Sequence, residues 1–129
     1  MKIASRILFV IACLIAASSV LLAAYVAHRG EGLGPSALKS VQSALQMLHI
    51  HVLAMLGVCA FAMLHKASKL LLLSAALFLL GLLMFSINIC LIHLAGVDSL
   101  RQLTPYGGMA FMAAWLSLAV WALRVPQPQ

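Results

Sequence analysis

Acidic residues are almost missing from this chain: Glu31 and Asp98 are the only two in 129 residues, and all charged residues together make up 8%. So few charges cannot clothe a water-soluble surface, and 65% hydrophobic residues with a mean hydropathy of +1.15 lie far outside the soluble globular range. Cysteine is scarce too. Cys13, Cys59 and Cys90 each fall inside an apolar run with no C-x-x-C spacing, which leaves no readable disulfide framework or zinc knuckle. A phosphate loop, a nucleophile elbow and an HExxH helix are all absent from the sequence. Both acids lie outside the apolar runs, so the membrane-depth carboxylate on which small proton-coupled exporters rely is missing as well.

What remains is apolar sequence in long blocks. Four stretches, approximately 7–27, 47–64, 70–93 and 106–123, contain no Asp, Glu, Lys or Arg. At 1.5 Å per helical residue each is long enough, or nearly so, for about 30 Å of hydrocarbon. Helices are the expected form, because only they satisfy every backbone group within one segment. The chain therefore reads as an all-α membrane protein: one transmembrane domain over residues 1–129, built as a four-helix bundle. The first run follows Lys2 and Arg6 and faintly resembles a secretory signal, but at about 21 residues it exceeds a typical h-region and reads as a retained helix.

The net charge of +6 comes from eight Lys and Arg set singly between apolar runs, a topology signal and not a nucleic-acid footprint. Lys2, Arg6, Lys66, Lys69 and Arg124 fall on one side, against Arg29, Lys39 and Arg101 on the other. The larger group predicts that both termini are cytoplasmic. Between the first two spans, Gly30, Gly32, Gly34 and Pro35 break the helix before Ser36. Leu38, Val41, Leu45 and Leu48 then follow helical spacing, predicting a short interfacial amphipathic helix that leads into the second span. Ala12, Ala16, Ser19 and Ala23 on the first span, and Gly107, Ala110, Ala114 and Ser117 on the fourth, form small-residue stripes suited to close helix contact.

Polar side chains at membrane depth are costly and therefore candidate functional groups. His28, Gln46, His49, His51, Asn88 and His93 cluster toward the outer face, and His65 alone lies toward the cytoplasm. His49 and His51 are two residues apart and point about 200° from each other, so at most one faces a given neighbour. The expected inward set is His28, Gln46 and His49, with Asn88 or His93 opposite. Such a set could ligate copper or haem iron, or hydrogen-bond a quinone carbonyl. The plainer reading is that interfacial histidines bond one another, backbone carbonyls or headgroups. No cofactor is required by these residues. Tyr25, Tyr106 and Trp121 suit interfacial aromatic belts, Trp115 core packing, and the seven methionines adaptable packing.

The runs AAYVAHRG, QMLH, FSINICLIHLAG and TPYGGMAFMAAW, in this order, resemble the domain-of-unknown-function 423 family, which includes YgdD-type bacterial inner-membrane proteins and animal transmembrane protein 256. The most specific pieces are Ala27-His28, Gln46 with His49, Phe85-Ser86, and Thr104-Pro105 before Gly107-Gly108. The resemblance implies a multi-pass inner-membrane protein, supplies no reaction, and ranks His28, Gln46 and His49 above His51 and His93. Ala23, Val26 and the Ile87–Cys90 stretch depart from the family pattern by placing bulkier residues at small-residue positions. Thr104 is expected as a helix N-cap with Pro105 in the first turn, and the paired glycines as a close-packing surface. The function expected from all this is an accessory or scaffold subunit of a larger membrane complex, or a small homo-oligomer. Its partners are then the lipid bilayer and another integral membrane protein or itself.

Overall fold

The computed structural model describes residues 1–65 and 68–124. Within them the chain forms helices α1 (Lys2–Arg29), α2 (Pro35–Leu64), α3 (Lys69–Gly81), α4 (Asn88–Ala95) and α5 (Thr104–Arg124), with no strand. Leu82–Ile87 is a π-helical stretch that joins α3 to α4 as one rod, so four rods are long and apolar enough to cross a bilayer. Lys66, counted above in the charge balance, lies outside the described residues.

Local chemistry sets the ends of the rods. Pro35 occupies the first turn of α2 behind Gly34, where its missing N–H costs nothing. Ser68 caps α3 by accepting from the Leu70 N–H at 3.3 Å. Gly96 ends α4 at φ +69, a left-handed conformation that glycine adopts without Cβ strain, and the Val97 N–H closes onto the Leu91 carbonyl. The segment expected to be a short amphipathic helix leading into the second span is helical and runs into that span without a break. At 30 residues α2 is about 45 Å long, well beyond the hydrocarbon thickness. No glycine or proline between Ser36 and Gly57 interrupts its backbone bonding.

Two clusters hold the bundle. Toward the end where α1 begins and α5 ends, Ala12 of α1 joins Met55, Val58, Cys59 and Ala62 of α2, Leu71, Ala75 and Phe78 of α3, and Phe111 and Ala114 of α5 in one cluster. At the opposite, loop end, Val26, Val41, Ala44, Leu45 and Cys90 form a smaller core. Lipid is as apolar as these side chains, so close packing and hydrogen bonds, rather than escape from water, hold the helices together. The small stripes serve that packing. In α1 the buried residues are Ser5, Ala12, Ser19 and Val26, one every seventh position, which is the seam of a left-handed crossing. Between α3 and α5 the Ser74 and Ser117 hydroxyls hydrogen-bond to each other. α1 lies against α2 and is the least buried rod, whereas α2 and the α3–α4 rod are the most enclosed.

Candidate functional site

Asn88 is the most constrained polar residue. It follows the π turn, is 2% exposed, and its Nδ2 donates to the Leu100 carbonyl at 2.7 Å and to Thr104 Oγ1 at 3.0 Å. A third, longer contact reaches the Met84 carbonyl at 3.3 Å. Turning the amide over would set its oxygen against two carbonyls, so the donor orientation is dictated. Asn88 thus ties the third rod to the following loop and to the start of α5. Its Oδ1 and the neighbouring Ser86 Oγ are buried with no hydrogen-bond partner among the described residues.

Thr104 has helical dihedrals and continues a short 3₁₀ turn, Arg101–Leu103, so it is not the expected N-cap. Its oxygen is taken up by Asn88 instead. Pro105 lies in the first turn of α5 as expected. The two glycines behind it separate sharply. A Cβ on Gly107 would lie 2.5 Å from the Phe85 backbone nitrogen, whereas one on Gly108 would meet nothing. Gly107 alone lets α5 press against the π stretch.

The histidines are arranged the opposite way from the expected inward set. His51 is the buried one, at 7% exposure, with its ring stacked on Phe111 at 3.7 Å between centroids. Its Nδ1 lies 2.7 Å from the Met47 carbonyl; a carbonyl only accepts, so Nδ1 carries the proton. Trp115 and Phe78 complete the aromatic group, with Trp115 half exposed at its edge. His49, about 200° away as the helical geometry requires, is half-buried beside the exposed Gln46, and His28 is exposed at the end of α1. The reason is packing: Leu45, Leu48, Val52 and Met55 form the buried stripe of α2, and His51 falls on it while Gln46 does not.

The expected site residues therefore fall into separate places. Gln46 and His49, joined by Gln42, line a groove of about 370 Å³ against Ala23, Val26 and Ala27 of α1. His28 does not line it. His93, Thr104 and Pro105 line a second cleft of about 410 Å³ with Ser40, Ile89, Ile92 and Arg101. Asn88 lines neither, and no three His, Cys, Asp or Glu side chains come together among the described residues. Sequence reasoning missed His51. Its spacing from Leu48, Val52 and Met55 was the available signal.

A four-rod α-helical bundle with no charged residue along its buried seams and an apolar exterior is a small integral membrane protein. Residues 22–108 match the family described as "Protein of unknown function (DUF423)", and the chain belongs to that family. It is 30% identical over 122 residues to the UPF0382 inner membrane protein YgdD of Escherichia coli (strain K12), covering 94% of this chain and 92% of that one. It is 31% identical over 106 residues to a UPF0382 membrane protein of Haemophilus influenzae, covering 81% of this chain and 84% of the other. No solved structure matches it.

Proposed function

We propose that this protein is a non-catalytic inner-membrane subunit that docks on another integral membrane protein, or on a second copy of itself, through the outward face of α2. One observation carries this reading. Gln42, Gln46 and His49 share a helix face, line the groove beside α1, and make no hydrogen bond to another group among the described residues. Gln42 and Gln46 precede the second apolar run and His49 opens it, so the three lie toward the interface, and an interhelical hydrogen bond in a bilayer contributes about 0.6–2 kcal/mol. A partner helix carrying donors and acceptors would satisfy them. Several other deep polar groups are engaged within the bundle: the Asn88 amide nitrogen braces the loop and α5, His51 stacks on Phe111, and Ser74 bonds Ser117.

Native mass spectrometry of the protein gently extracted from its own membranes tests this directly. The expected result is a complex with a larger membrane protein or a small homo-oligomer. The double substitution Gln42→Leu with Gln46→Leu weakens it by about tenfold, from two lost bonds of about 0.7 kcal/mol each. A monomer in native membranes, or an association indifferent to both substitutions, would sink the proposal. A second reading draws on the same groove: Gln46 and His49 offer donors to a quinone carbonyl, and a retained mass matching quinone, lost in His49→Ala, would favour it. Copper and haem suit the groove less well, since only one imidazole lines it. We also propose that both termini are cytoplasmic, on the five-to-three balance of basic residues.

A further inference from the structure

The cleft at the loop end is built differently from the groove on α2. Its lining joins apolar Ile89 and Ile92 of α4 and Pro105 of α5 with the polar side chains of His93, Arg101, Thr104 and Ser40. We propose that this cleft holds the phosphate group of an anionic phospholipid, with Arg101 and His93 on the phosphate and an acyl chain along Ile89 and Ile92.

Four features support the assignment. Arg101 supplies a fixed positive charge and a planar fork of donors matched to phosphate oxygens. His93 donates from one ring nitrogen in either protonation state. Thr104 lines the cleft, its oxygen accepts from Asn88 Nδ2 at 3.0 Å, and its hydroxyl proton has no acceptor among the described residues and is free to donate. Ser40 gives its proton to the Ser36 carbonyl at 3.0 Å and adds no donor. The fourth feature is position, since the cleft lies beside the loop of residues 96–103 that ends the third rod, where an apolar chain and a charged head meet together. A free phosphate ion shares the head chemistry, but it has no use for the apolar side chains of Ile89 and Ile92.

One group opposes the anion. Asp98 Oδ1 accepts from Arg101 Nη2 at 3.0 Å, with both side chains more than half exposed. An exposed pair of this kind is worth only about 0–1 kcal/mol, so a phosphate can take Arg101 from it. This makes the assignment testable in both directions. Delipidated full-length protein in detergent micelles is titrated with phosphatidylglycerol or with phosphatidylcholine and read by native mass spectrometry. The wild type is expected to retain phosphatidylglycerol in preference. Arg101→Gln lowers that retention about tenfold, as expected from losing one charge-assisted pair, and Asp98→Asn raises it by removing the competitor. Both positions are exposed, and far-ultraviolet circular dichroism verifies that the variants fold. Equal retention of the two lipids, or retention indifferent to both substitutions, overturns the proposal. So does displacement of the lipid by millimolar inorganic phosphate, which would make a free ion the occupant.

Discussion

His49 and His51 differ by two positions and have opposite roles. Removing the His51 ring takes away the stack on Phe111 and leaves a void in the aromatic group. His51→Ala is expected to lower stability by about 2–4 kcal/mol, while His49→Ala stays within about 0.5 kcal/mol because its side chain bonds nothing inside the bundle. Reversible unfolding in mixed micelles measures both, and equal losses would contradict this assignment. Asn88 and Ser86 form a second contrast. Asn88→Ala abandons the Leu100 carbonyl and Thr104 and should cost about 1–3 kcal/mol. Ser86→Ala removes a buried hydroxyl that has no partner among the described residues, so it should be neutral or stabilising by the same assay. That polar residues gather toward the loop end is legible in the sequence from span position. Which of them turn inward is not, because a helix has no outside until its neighbours are placed.

At the scale of the helices, close approach depends on one glycine of a pair. Gly107→Ala forces a Cβ into the Phe85 backbone, and rigid backbone cannot yield as a flexible side-chain end would. The expected cost is about 1–3 kcal/mol. Gly108→Ala meets open space and should gain up to about 1 kcal/mol from helix propensity. A thermal-stability comparison of the two variants decides the matter, and a loss at Gly108 equal to that at Gly107 would mean that α5 sits elsewhere. The four apolar runs and the glycine-proline break predicted the rods well, and each run lies within one rod. The π stretch escaped them. It lies where Gly107 crosses Phe85 and where Asn88 reaches the Leu100 carbonyl, contacts between residues that no local pattern connects. Thr104 illustrates the same point: a sound capping residue by type, it is drawn off by a side chain 16 positions away.

For the whole molecule, the positions of the two short connections give a direct test of orientation. Residues 30–34 and 96–103 link rods at one end, and Lys2 of α1 and Arg124 of α5 lie at the other. With Cys13, Cys59 and Cys90 changed to serine or alanine, Glu31→Cys and Asp98→Cys should react with a membrane-impermeant thiol reagent in intact cells, and Lys2→Cys only after lysis. The reverse pattern inverts the topology and leaves the fold as it is. The sequence by itself determined that the chain lives in a bilayer as four helices, because uncharged apolar runs of that length have no other way to satisfy their backbone. Only the tertiary structure decided which polar groups brace the bundle and which face outward. A lipid-facing surface and a packed surface are equally apolar in this protein, so hydropathy cannot tell them apart, and the choice rests on shape: where a glycine lets two backbones touch, and where one histidine meets a phenylalanine.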